Sequence, residues 1–66
     1  MDIPSAIKER RKELQISQLV LSEMAGISLA TIKDIERGAA NPSLRTLESI
    51  GTVLGMEVLF VKKKAF

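Results

Sequence analysis

The stretch QLVLSEMAGISLATIKDIERG, residues 18–38, decides how this chain folds. It holds two short apolar-periodic runs separated by Gly26-Ile27-Ser28. Ser17 stands just before the first run, where a hydroxyl can take an orphan N–H at a helix start. That run reads as a helix from Gln18 to Ala25, with Leu21 and Ala25 four apart and turned to one side. Gly26 ends it, because a sharp reversal needs a residue that tolerates positive φ. Ile27 plugs the turn into the core. Ser28 repeats the capping logic for a further helix that Gly38 stops. Its apolar positions are Ile32 and Ile35, three apart on one face. The other face carries Leu29, Ala30, Lys33, Asp34 and Arg37. A surface helix has little reason to begin with an exposed Leu-Ala pair, so this face is a candidate contact surface.

Working outward, residues 2–15 read as a first helix. Asp2 or Ser5 can cap it, and Pro4 suits a first turn, where its missing N–H is not needed. Ile3, Ile7 and Leu14, with the stem of Arg11 or Arg10 between, line one side. After Gly38, Ala39-Ala40-Asn41-Pro42 is a loop, and Pro42 turns Asn41 away from the helical region. Ser43 then caps a fourth helix from Leu44 to about Leu54, with Leu44, Leu47, Ile50 and Leu54 as its expected buried stripe. Gly51 lies inside that helix at a cost of roughly 1 kcal/mol relative to Ala, which implies close packing there. Gly55 is the stop.

Residues 56–62, MEVLFVK, change period. Val58, Leu59, Phe60 and Val61 are strand formers, and both faces are largely apolar. A lone apolar strand leaves backbone N–H and C=O groups unpaired, so it must find a partner outside the chain. The simplest is the same strand of a second copy, antiparallel across a two-fold axis. Met56, Val58, Leu59, Phe60 and Val61 are therefore the expected dimer interface.

Composition sets the outer limits. Sixty-six residues make one small domain, whose core yields little net stability without a staple. The chain has no Cys and no His, which removes disulfides, thiolate sites and the usual zinc cage. Oligomerisation is the remaining common staple. Net charge is only +2, but the pI is 9.3 and the cations cluster by position. Lys8, Arg10, Arg11 and Lys12 come early, Lys33, Arg37 and Arg45 in the middle, and Lys62, Lys63 and Lys64 last. No apolar run reaches membrane-spanning length and no signal pattern opens the chain. The expected location is cytoplasmic. Catalysis is not expected, since no His, Cys or Tyr can serve as base or nucleophile. No metal, cofactor or small-molecule ligand is expected either.

The spacing of Gln18, Leu21, Ala25, Gly26, Ile27, Ile32 and Ile35, followed by Glu36-Arg37-Gly38, resembles the helix-turn-helix of the phage-repressor-like (Xre) family. The later Pro-Ser-Leu-x-Thr-Leu run, Pro42 to Leu47, and the Leu54-Gly55 ending also match. Two positions depart from the pattern. Ser22 stands where the family usually has Ala, and Leu29-Ala30 stand where hydrogen-bonding residues are common. The resemblance implies an all-α, four-helix repressor-like domain over residues 1–55. Residues 56–66 would add the C-terminal β-strand that pairs between subunits, and a basic tail.

The same resemblance implies sites. The third helix would enter the major groove of double-stranded DNA, bringing Ser28, Leu29, Ala30, Thr31, Lys33 and Asp34 to the bases. Apolar Leu29 and Ala30 suit thymine methyl groups, and Lys33 suits guanine acceptors. Gln18, Arg10, Arg37, Asn41, Ser43 and Arg45 would face phosphates. Arg11, seven residues before Gln18, resembles the family arginine that pairs internally with the glutamate matching Glu36. The expected function is a sequence-specific transcriptional regulator, a repressor that binds a palindromic operator as a homodimer. The alternative is an antitoxin like those of the HipB type, which would also hold a toxin protein and regulate its own operon.

Overall fold

The computed structural model describes residues 2–64. The chain forms four helices in this order: α1 (Ile3–Glu13), α2 (Gln18–Ala25), α3 (Leu29–Glu36) and α4 (Leu44–Leu54). Each begins the same way. The side chains of Asp2, Ser17, Ser28 and Ser43 accept the backbone N–H three residues on, at 2.9, 3.0, 3.1 and 3.1 Å. Each also ends the same way. A backbone N–H one residue past the turn reaches back five residues, from Ile16 to Arg11, Ile27 to Ser22, Ala39 to Asp34 and Met56 to Gly51. This closure places one residue in the left-handed region at every helix end. Three of the four are glycines, Gly26 among them at φ 69°; the fourth is Gln15 at φ 57°. No glycine marks the end of α1, which is why its reading ran to residue 15 while the helix stops at Glu13.

The core is wholly aliphatic. Ile7, Leu21, Ile32, Ile35, Ile50 and Leu54 are buried, with Ile16, Ala25, Ile27, Leu47 and Val53 packed against them. Every helix contributes, so burying this cluster holds all four together. α2 packs on both α3 and α4, and α1 packs on the same two. Ser22 is buried between helices at 4% exposure. Its hydroxyl donates to the Leu19 carbonyl at 2.7 Å, so a polar group in a tight place is satisfied within its own helix.

Three expected stripe positions differ. Leu44 is half-exposed, not buried. At 100° per residue, Leu47, Ile50 and Leu54 fall close together around the helix and Leu44 lies roughly 90° away from their centre. Ile3 is also half-exposed, at the rim of a groove described below, and Leu14 lies outside α1 on the surface. The buried pair of α1 is Ile7 and Arg11, one turn apart.

Gly51 has the reason its position implied. A Cβ there would stand 2.7 Å from the Met56 carbonyl oxygen, because the chain leaving α4 folds directly over it. Beyond Gly55, residues 56–63 run without regular structure, and no strand occurs among the described residues. A single chain offers this segment no ladder partner, so the expected strand does not form within one copy. Its apolar side chains stand out: Leu59, Phe60 and Val61 are 71%, 95% and 82% exposed. The molecule accordingly measures 42 × 22 × 18 Å. The first residue of the expected domain and the last two of the expected tail lie outside the described residues.

Candidate nucleic-acid interface

The helix pair is joined by Gly26, Ile27 and Ser28. The Gly26 φ of 69° supplies the reversal, and an L side chain at that position would be strained although no neighbouring atom crowds it. Ile27 faces the core and Ser28 caps α3, so the turn is held from both sides. α3 then buries Ile32 and Ile35 and presents its opposite face outward.

On that face Ala30 and Lys33 are exposed, while Leu29 and Thr31 are half-buried. Among the described residues Lys33 makes no ion pair, so its ammonium is available to an outside acceptor. Ser28 and Thr31 are bound to each other: the Ser28 Oγ accepts the Thr31 N–H at 3.1 Å and donates to Thr31 Oγ1 at 2.7 Å. Each hydroxyl keeps a lone pair for an outside donor, but their hydrogen-bonding capacity is partly used. Asp34 pairs with Arg37 at 2.6 Å, one turn along. That bond lowers the repulsion a bare carboxylate would exert on a polyanion, and it also draws on the charge of Arg37.

Behind α3 lies the main electrostatic feature. Arg11 on α1 makes a two-point contact with Glu36 at the end of α3, Nε to Oε2 at 2.7 Å and NH2 to Oε1 at 2.9 Å. NH1 of Arg11 donates to the Ile16 carbonyl at 3.0 Å, fixing the turn after α1 as well. The Gln18 amide adds a fourth bond, to Glu36 Oε1 at 3.2 Å. The side chains of Arg11 and Glu36 are 11% and 4% exposed. Burial pushes the Glu36 carboxyl up, but hydrogen bonds from Arg11 and Gln18, with the charges of Arg11 and Lys8, outweigh it and hold the group below its ordinary value. The bond to Glu36 raises Arg11 in turn, against burial. The network joins α1, α2 and α3 and orients the outward face of α3. Nothing in the local spacing of Gln18 showed that its amide would share Glu36; the residues are eighteen apart.

The phosphate-facing group divides. Gln18 starts α2, with its side chain directed to Glu36. Arg37, Asn41, Ser43 and Arg45 are all exposed, along the end of α3, the following loop and the first turn of α4. The Ser43 hydroxyl is shared with Thr46, whose N–H it accepts and whose Oγ1 it donates to at 3.1 Å. Arg10 lies elsewhere. Its Nε donates to the Leu54 carbonyl at 2.9 Å, so it closes the C-terminal end of α4. α4 is eleven residues long, about 16 Å, so Arg10 is a helix length away from Ser43 and Arg45. A bond across 44 residues left no local signal in the sequence.

Two surface concavities lie away from α3. They are walled by α1, α4 and residues 56–59, and α3 contributes to neither. An exposed helix face has the width to enter a groove: an α-helix is about 10–12 Å across and the DNA major groove about 12 Å wide.

Comparison with known proteins agrees with this geometry. Residues 7–61 match the model of a helix-turn-helix family, HTH_3, and the chain belongs to that family. The class so defined is the phage-repressor-like helix-turn-helix domain. The chain is 43% identical over 58 residues to an immunity repressor protein of Bacillus phage phi105, which covers 88% of this chain and 40% of that protein. It is 34% identical over 58 residues to the HTH-type transcriptional regulator DdrOP3 of Deinococcus deserti, 88% of this chain and 45% of that one. It is 41% identical over 51 residues to an uncharacterized HTH-type transcriptional regulator of Methanothermobacter thermautotrophicus, 77% of this chain and 74% of that one. The chain thus spans less than half the length of the first two relatives. No solved structure matches it significantly. Among the described residues no helix is long and apolar enough to cross a membrane.

Proposed function

We propose that the protein is a sequence-specific transcriptional repressor that inserts α3 into the major groove of its operator. The observation that carries this reading is the exposed Ala30–Lys33 edge of α3, held in place from behind by the Arg11–Glu36–Gln18 network. Ala30 and Leu29 meet thymine methyl groups, Lys33 meets guanine acceptors, and Ser28 and Thr31 serve bases or phosphates. The Gln18 end of α2, Arg37, Asn41, Ser43 and Arg45 position the helix on the backbone. Arg10 is left out of this group because the Leu54 carbonyl holds it at the far end of α4. One domain makes few phosphate contacts and binds weakly, so the working unit is a homodimer on a pseudo-palindromic operator. Its half-sites lie about 34 Å apart, one turn, or a multiple.

A gel-shift series against the DNA upstream of the protein's own gene tests this. The expected result is a shift at low salt that Lys33→Ala weakens and that higher salt abolishes. No shift at low salt overturns it. The exposed Leu59-Phe60-Val61 row favours one second reading, a toxin protein held by the tail. Copurification of a larger protein with the tagged chain from its source cell supports that reading, and recovery of the chain alone counts against it.

A further inference from the structure

Between α1 and α4 runs an apolar groove of about 270 Å³, lined by Ile3, Ala6, Ile7, Leu47, Ile50 and Leu54. Met56, Glu57, Val58 and Leu59 of the tail form its outer wall. A second hollow adjoins it, sharing Met56, Glu57 and Val58, with Glu48 on its opposite wall. An apolar trough therefore gives way to an acidic one. The tail has the complementary order: Leu59-Phe60-Val61, then Lys62-Lys63-Lys64.

The groove is too small for most drug-sized or cofactor ligands, whose sites are about 300–1,000 Å³. It is large enough for a side chain such as Phe, since a cavity of about 150 Å³ accepts benzene. Phe60 of the same chain does not enter it. The Met56 N–H bond to Gly51 fixes the exit from α4, residues 56–59 already form the groove's edge, and no Gly or Pro follows Gly55 to reverse the backbone. Phe60 accordingly stands 95% exposed.

The geometry points to a second copy of this chain as the occupant. Phe60 of each copy seats in the α1–α4 groove of the other, and Lys62 to Lys64 lie against the partner's Glu48 and Glu57. This rests on the homodimer reading and names its docking surface. Antiparallel pairing of the two tails is compatible with it: Met56, Val58 and Phe60 share one strand face. The first two cover their own groove while the third overshoots into the other.

The native chain has no cysteine, so introduced ones give an unambiguous readout. Chains carrying Phe60→Cys are mixed with chains carrying Ala6→Cys and oxidised, and light scattering gives the mass of the unmodified protein. The expected result is a dimer by mass and a mixed disulfide as the main product. A dimer that yields only Phe60→Cys homodimers overturns the groove while leaving the dimer standing. A monomer by mass overturns both. An intrachain disulfide as the main product of a Phe60→Cys, Ala6→Cys double variant at high dilution places the tail in its own groove and also overturns it. Charge gives an independent arm. Glu48→Lys with Glu57→Lys is expected to weaken dimerisation about tenfold or more, and adding Lys→Glu at 62, 63 and 64 is expected to restore it. Failure of that restoration removes the acidic hollow from the proposal.

Discussion

Arg11 and Glu36 sit where little water reaches, and each relies on the other. Removing one partner of a buried pair leaves an uncompensated charge, at a cost of about 3–5 kcal/mol. A chain of this length holds only roughly 3–10 kcal/mol of stability in all. Glu36→Ala is therefore expected to lower the melting midpoint drastically or to leave the chain unfolded at room temperature. Circular dichroism checks this, and an unchanged midpoint refutes the structural role. Replacing both partners, Arg11→Met with Glu36→Leu, is expected to recover much of the loss, because no bare charge then remains. The same pair sets a pH dependence. The folded Glu36 carboxyl is held below its ordinary value, so its contribution is complete above about pH 4.3. That contribution disappears as pH falls through the folded value. Asp2, held low chiefly by the Ser5 N–H, acts in the same direction. Urea midpoints should decline in acid, and a Glu36→Gln chain should decline less steeply. Gln15 offers the opposite case. It occupies the left-handed region, where a side chain costs about 1–2 kcal/mol. Glycine relieves that strain and loses part of the gain to chain entropy. Gln15→Gly is expected to stabilise by about 0.5 kcal/mol, a rise of roughly 2–4 °C in melting midpoint.

Each helix carries its own start and stop, and these signals are short-range, which is why most of the fold could be read in advance. Three serines and three glycines sit at the boundaries where a hydroxyl or a positive φ is required, and α2 and α4 fall on their expected residues. Legibility fails where a boundary uses an atypical residue, as at Gln15, or where a partner is distant in sequence. Arg10, expected to face a phosphate, is brought to Leu54 only by the assembled fold. Periodicity overreached at Leu44, because spacings of three and four drift around the helix when the starting residue lies at the stripe's edge. The outward face of α3 was legible as a surface because nothing else accounts for its residues, yet the Ser28–Thr31 hydroxyl bond that modifies it had no signal of its own. Two glycines separate the reasons for glycine. At Gly26 space is open but φ is positive, so Gly26→Ala is expected to cost about 1–2 kcal/mol through the backbone. At Gly51 the backbone is ordinary and the space is taken. Alanine would normally help a helix by about 1 kcal/mol, but here its Cβ meets the Met56 carbonyl at 2.7 Å. Gly51→Ala is expected to destabilise by about 1–3 kcal/mol instead. A more stable Gly51→Ala chain would mean that the tail does not cross α4 in solution.

At the scale of the whole molecule, the proposed phosphate contacts and the proposed dimer would act together. Each phosphate neutralised adds about −0.9 to the slope of log affinity against log salt. Arg45→Ala is expected to weaken binding to all DNA sequences alike and to flatten that slope by about 1 per half-site contact, whereas Lys33→Ala should also relax base preference. Binding measured across a salt series on operator and random DNA separates the two. A helical bundle whose boundaries are set by neighbouring residues folds in microseconds to milliseconds, so one copy completes its core long before it meets another. In the proposed dimer the exposed tail would join its partner only after diffusion, at a rate proportional to protein concentration. Refolding should therefore show a fast phase that dilution leaves unchanged, followed by a slower one that dilution retards.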